Sequence, residues 1–227
     1  MTDFSPLDNP IWHALTSAHG RLARRRGLAA RYPGEVSPLA GLAELTAQAF
    51  ADLRALVEPG ERVALFTTGP IEPPGGWEIL RALYIDQMVC GTAPAVPAHE
   101  PFQPLGTDDV PDMLALTAAT EPGPFGPRTI EMGRYLGVRS GDGRLAAMAG
   151  QRLALDGFTE ISAVCTDPSF RGQGHARALV ATLASQVIEG GKLAFLHVKT
   201  ENGAKVVYGK LGFEVRRPIQ YTVLTPR

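Results

Sequence analysis

The sequence predicts an α/β (α+β) fold, and three observations carry that prediction. Apolar runs of strand length alternate with segments of helical spacing through residues 101–227. Two of the runs, Arg144 to Leu155 and Phe158 to Thr166, meet at Asp156-Gly157, a dipeptide favoured in tight hairpin turns. The second run stops at Asp167-Pro168, because proline has no N–H to give a ladder, and a Gly-rich turn and a helix follow.

Taken in order, Pro10 to Arg26 and Leu39 to Val57 carry helical spacing, the second through Leu42, Leu45, Phe50, Leu53 and Leu56. Arg62 to Thr67 and Leu83 to Val89 are short apolar runs that predict strands. Arg24, Arg25 and Arg26 before Gly27 read as a solvated helix end, where cations complement the dipole. Ala93 to Pro104 is dense in Pro and Ala without period and reads as a linker. It divides the chain into an N-terminal α/β accessory domain over residues 1–100 and a second domain over 101–227. Beyond it, acidic Asp108 and Asp109 suit the start of a helix through Val110 to Thr117. A Pro-rich loop, Glu121 to Pro127, leads to the hairpin. A helix with apolar Ala176, Leu179, Val180, Leu183 and Val187 comes next, then a strand (Leu193 to Val198), a helix (Asn202 to Leu211) and a strand (Val215 to Val223).

Composition sets the outer bounds. With 227 residues, 44% of them hydrophobic, the chain can bury a substantial core. A formal net charge of −1 gives no global argument for nucleic acid or membrane as partner. Residues 1–100 hold 8 basic and 11 acidic side chains and residues 101–227 hold 14 and 12, a slight basic surplus in the second part. Two cysteines and no long apolar span point to a cytoplasmic protein. Cys165, inside a strand run, reads as a buried structural thiol, and the five histidines show no metal-ligand spacing, so no metal is expected.

The loop Arg171-Gly172-Gln173-Gly174-His175-Ala176 is the most specific motif. Its glycines let backbone approach a ligand at positive φ, and the helix that follows presents unpaired N–H groups and partial positive charge to an anion. Neither a dinucleotide fingerprint nor a P-loop is present. Arg171-x-x-Gly174-x-Ala176 resembles the R/Q-x-x-G-x-G/A pyrophosphate loop of the GCN5-related N-acetyltransferase (GNAT) superfamily. Asn202 to Phe213 resembles a second signature of that family, N-x-x-A-x-x-x-Y-x-x-x-G-F, although Ala204 stands one place closer to Asn202 than the pattern has it. With PGPF, Arg128-Thr129, AMAG and EISAVC, residues 102–217 resemble the FR47-like branch.

The resemblance implies a twisted mixed sheet flanked by helices, acetyl-coenzyme A as co-substrate, and transfer of its acetyl group to a primary amine by direct attack. It places the cofactor on Val164, Cys165, Thr166, Arg171, Gly172, Gln173, Gly174, His175, Ala176, Asn202 and Tyr208. A backbone N–H from Ala163 to Thr166, with Val164 or Cys165 favoured, would face the thioester oxygen. Tyr208 would protonate the leaving thiolate or only position the sulfur, and Glu160 is the candidate general base, alone or through a water. Each has a plainer reading: Asn202 as a helix cap, Tyr208 as core, Glu160 as an exposed strand start. Strand alternation puts Glu160, Ser162, Val164 and Thr166 on one face and Ile161, Ala163 and Cys165 on the other. Glu121, Phe125 and Arg128 are the candidates for binding a small-molecule amine or peptide acceptor, with solvent-facing or surface-packing roles as the alternative. The N-terminal part could be a degenerate copy of the same fold. A non-catalytic acyl-CoA sensor and a transferase for longer acyl groups stay open.

Overall fold

The computed structural model describes residues 2–98 and 102–227. Its centre is an eight-stranded sheet in the order β4-β11-β5-β10-β9-β8-β7-β6. These strands are β4 (Val63–Thr67), β5 (Trp77–Cys90), β6 (Gln103–Leu105), β7 (Tyr135–Arg139), β8 (Leu145–Leu155), β9 (Phe158–Thr166), β10 (Leu193–Lys199) and β11 (Glu214–Pro226). Every neighbouring pair is antiparallel except β9 and β10. A parallel pair needs a crossover, here supplied by helix α4 (His175–Glu189). The sheet draws β4 and β5 from the first hundred residues and its other six strands from the remainder.

Each sheet face is closed by helices. On one, Leu179, Val180 and Leu183 of α4 pack on Ala149, Ile161, Leu196 and Val198, together with Tyr208 and Leu211 around helix α5 (Ala204–Lys210). The other carries Ile11 and Leu15 of helix α1 (Pro10–Thr16) against Leu155, Phe158, Phe195 and Ile219. Helix α3 (Val110–Thr120) adds Met113 and Leu116 to a cluster with Met148 and Cys165. A fully buried aliphatic or aromatic side chain contributes about 1.5–3 kcal/mol, so these clusters position the strands.

Two expected helices are shorter than their spacing predicts. Pro10 to Arg26 divides into α1, a short turn and strand β1 (Arg24–Arg26), which pairs with β2 (Ala29–Arg31) across Gly27 at φ +48°. The three arginines are exposed, as expected, but on an edge strand and not at a helix end. Leu39 to Val57 divides into β3 (Ala40–Leu42), paired with β2, and helix α2 (Ala47–Arg54). Thr46 fixes that start, its Oγ1 accepting from the Ala49 N–H at 3.3 Å. In both cases tertiary pairing overrode an apolar spacing that suits either state. The Ala93 to Pro104 stretch ends in β6, and part of it lies outside the described residues.

One buried pair makes stability depend on pH. The His19 Nδ1 lies 2.8 Å from the Tyr32 hydroxyl, and the ring also meets the Met132 carbonyl. Burial pushes His19 down to about 4. The unfolded ring takes up a proton below about 6.5 while the folded one stays neutral, so stability is complete above that value and falls until pH reaches about 4. The loss from this group should be about 3 kcal/mol. Urea midpoints at pH 7 and pH 4.5 measure it, and a His19→Gln variant should show a smaller difference between the two.

Candidate active site

The site begins where β9 and β10 stop pairing. Their parallel ladder runs from Leu193–Phe158 to Phe195–Glu160 and goes no further, although both strands continue. Backbone groups of β9 beyond Glu160 therefore lose their partners on that side, and a wedge opens. Ala163 sits in the wedge at φ +51°, a left-handed conformation that costs a non-glycine residue about 1–3 kcal/mol. It lies in an irregularity where Met148–Cys165 gives way to Gly150–Ser162.

This bulge reverses the strand's faces. By alternation Ile161 and Ala163 should point the same way, yet Ile161 packs with the α4 cluster and Ala163 and Cys165 with the α3 cluster. Val164 joins the α4 side. The extra residue shifts every later side chain by one position, which a period of two cannot foresee.

A cleft of about 370 Å³ runs from the wedge to the start of α4. Its walls include Val164, Cys165, Thr166, Arg171, Gly172, Gly174, His175, Ala176 and Tyr208 from the expected cofactor set, with Thr120, Phe170 and Arg177 as additions. Gly172 and Gly174 take φ +81° and +83°, and a β-carbon built on either would meet nothing within 4 Å. Both are needed for backbone conformation, and the space above them is open. Gly174 caps α4 without a side-chain hydrogen bond, leaving the first-turn N–H groups facing the cleft. Thr166 Oγ1, also on this wall, is buried without a hydrogen-bond partner. Open glycine backbone, a helix N-terminus and two arginines suit a pyrophosphate, so the residues fit coenzyme A. Gln173 lies outside the cleft wall.

A second cavity, about 570 Å³, opens from the other side of the wedge. The two share Thr120, Val164 and Tyr208. Tyr208 is 9% exposed, packs tilted against Phe213 with ring centroids 6.2 Å apart, and its hydroxyl makes no hydrogen bond among the described residues. Burial pushes its phenol up to about 12. Asn202 lines this cavity and not the cleft, and its Oδ1 accepts from the Ala204 N–H at 2.9 Å in a turn one residue before Gly203, which caps α5 in place of the expected asparagine.

Of the three acceptor candidates, only Glu121 reaches the cavity, from a left-handed position (φ +48°) that ends α3. Phe125 packs against the Tyr135 ring at 5.7 Å, in the α3 cluster. Arg128 turns to Glu131 and Glu35, at 2.6 and 3.0 Å, and does not line the cavity.

Glu160 is wholly buried and absent from both walls. Arg152 donates to its carboxylate through Nε at 2.8 Å and Nη2 at 2.6 Å, and His197 Nδ1 lies 2.7 Å away. Burial alone would raise the carboxyl, but the Arg152 guanidinium and the His197 N–H outweigh it and hold it down at about 2. The plainer reading of an exposed strand start fails, and so does the geometry of a direct base: its oxygens are engaged and its basicity is low.

The hydrogen bonds continue across the sheet. Gln87 donates from Nε2 to the Leu7 carbonyl at 2.8 Å and accepts at Oε1 from Arg216 at 2.8 Å, which fixes the amide. Its other N–H faces His197 Nε2 at 3.1 Å, so that nitrogen accepts and the ring proton sits on Nδ1, toward Glu160. Arg216, Gln87, His197, Glu160 and Arg152 thus form one row over five adjacent strands. Sequence reasoning missed Arg152 and His197. A charge inside the run LAAMAGQRLAL was the available signal, since a buried arginine demands a partner, and Glu160 stands opposite it across the Asp156-Gly157 hairpin. Both thiols are shifted up by burial, Cys165 to about 11, which keeps them protonated.

A wedge between parallel strands, with a cofactor cleft on one side and a second cavity on the other, defines the GNAT acyl-CoA N-acyltransferase fold. The chain belongs to the GNAT family. The profile of FR47-like proteins matches residues 135–222. A GNAT-family structure from Novosphingobium aromaticivorans is 33% identical over 98% of this chain and 99% of its own, with a TM-score of 0.88. A GCN5-related N-acetyltransferase from Kribbella flavida (20% identity, 94% and 95% covered, TM-score 0.60) and a GCN5-related N-acetyltransferase-like protein from Streptococcus suis (14%, 99% and 94%, 0.60) share the fold. No curated protein matches the chain. Among the described residues no group of three or more His, Cys, Asp or Glu is placed to hold a metal ion, and no helix is long and apolar enough to cross a membrane.

Proposed function

We propose that the protein is an N-acetyltransferase that moves the acetyl group of acetyl-coenzyme A to a primary amine by direct attack in a ternary complex. The observation that carries this reading is Tyr208, whose unpartnered hydroxyl belongs to a side chain shared by the cleft and the acceptor cavity. Coenzyme A supplies an activated thioester. The loop Arg171 to Ala176 and the N-terminus of α4 hold its pyrophosphate. An N–H of Val164 or Cys165, on the unpaired stretch of β9, takes the developing oxyanion, a contact that contributes roughly 10²–10³ in rate.

Tyr208 gives its proton, or a hydrogen bond, to the departing sulfur. A phenol near 12 stays protonated throughout the neutral range, so the donor is always present. Glu160 does not act as the base in this reading; with Arg152 and His197 it holds the cavity wall. The amine passes its proton to water in the cavity. The buried, protonated cysteines leave no activated nucleophile for an acetyl-enzyme route.

Calorimetry with acetyl-coenzyme A, followed by thiol release over a panel of amines, tests the proposal. Binding together with acceptor-dependent thiol release is expected. Tight binding without release from any amine would instead mark an acyl-CoA sensor.

A further inference from the structure

Arg152 is only half used by Glu160. A guanidinium has five N–H groups, arranged so that two separate edges can each grip a carboxylate. Glu160 occupies the edge made by Nε and one Nη2 proton. The other edge, made by Nη1 and the second Nη2 proton, has no partner among the described residues, although the side chain is only 11% exposed. Arg152 lines the acceptor cavity, so this edge belongs to its wall. Its donors open onto the cavity, where a planar anion would meet them.

The cavity's charges are sorted to match. Arg81 on β5 and the Tyr221 phenol on β11 line it along with Arg152, and Lys199 adds a further cation. Burial raises the Tyr221 phenol, which keeps it a neutral donor. Among the described residues the only carboxylate on the wall is Glu121, next in sequence to Thr120, one of the three residues shared with the cofactor cleft. The reacting end of the cavity therefore carries the acid, and the sheet wall carries the arginines. A simple amine or polyamine would leave the arginine wall unmet, whereas a molecule with an ammonium at one end and a carboxylate at the other satisfies both.

We infer that the acceptor is an amino acid-like molecule whose carboxylate docks on the free edge of Arg152 with Arg81 and Tyr221, while its amine is drawn toward Glu121 and Tyr208. This rests on the transferase reading above and names its substrate class. It moves carboxylate recognition away from Arg128, whose guanidinium is already taken by Glu131 and Glu35.

The test uses the full-length protein, saturating acetyl-coenzyme A and thiol release, with α-amino acids, their carboxamides and their decarboxylated amines as matched acceptors. The acid of each set should exceed its carboxamide in kcat/KM by roughly 10- to 100-fold, the range of a charge-assisted hydrogen-bonded contact. Arg81→Gln, at an exposed position that leaves the fold alone, should bring that ratio down severalfold. Arg152→Lys, which keeps a cation beside Glu160 but lacks the second edge, should bring it close to one. Carboxamides or plain amines turned over as well as the acids would overturn the inference and leave the transferase reading standing. An acid preference that survives both substitutions would overturn the assignment to this wall. Thiol release from no acceptor would remove the transferase reading and the inference with it.

Discussion

Tyr208→Phe should lower the rate of the chemical step by about 10²–10⁴, the range for a positioned acid, while leaving acetyl-coenzyme A binding nearly unchanged. The ring is what packs: it lies in the α4 cluster beside Phe213, and its hydroxyl holds no hydrogen bond whose loss would disturb the fold. The variant should therefore melt close to the parent protein. Single-turnover thiol release with a reactive acceptor separates this effect from product release. Because burial holds the phenol near 12, the parent's kcat/KM should show no descending limb from Tyr208 below about pH 11. An unchanged single-turnover rate in the variant would reduce Tyr208 to a positioning residue for the sulfur.

Arg152→Met should be the most destabilising single change at the site. It leaves the Glu160 carboxylate at zero exposure with only His197 as partner, and a buried charge stripped of its counter-ion costs about 3–5 kcal/mol. For a chain of this length that is a fall of roughly 6–20 °C in Tm. The pH dependence gives the signature. In the parent the carboxyl is held at about 2, so its contribution is complete above its unfolded value near 4.5 and is lost as pH falls toward 2. In the variant only the His197 N–H still opposes burial and the carboxyl rises instead, so the penalty appears only as pH climbs past the unfolded value. The gap between the two proteins should be widest at neutral pH and close in acid. Adding Glu160→Gln to the variant removes the charge, keeps an acceptor for His197, and should restore most of the stability at pH 7. Thermal unfolding of the three proteins at pH 7 and pH 4 checks each step.

The elements around the cofactor loop were legible because their signals are local. A hairpin dipeptide, a proline break, glycines at positive φ and a helix with apolar spacing each act within a few residues, and β8, β9, α4, β10, α5 and β11 follow from them. Tyr208 stood out only through the resemblance, at a fixed distance from Gly212 and Phe213 in the family's second signature. In the first hundred residues, by contrast, an apolar spacing that suits a helix also suits strands that happen to find partners. Thus β1 and β3 formed where β2 offered them pairing.

Glu160 shows the boundary most clearly. Its position at the start of a strand was correct, but whether it faced solvent, substrate or an arginine depended on which residue of β8 lay opposite and which of β10 lay beside it. A bulge in β9, set by one residue at φ +51°, then rearranged the faces that alternation assigned. The sequence by itself determined the family and the Gly-rich turn that starts α4, since short-range patterns of residue type specify them. Only the tertiary structure decided the wall of the second cavity, because Arg81, Arg152, His197 and Tyr221 come from four strands whose register is fixed by the packing of the whole sheet.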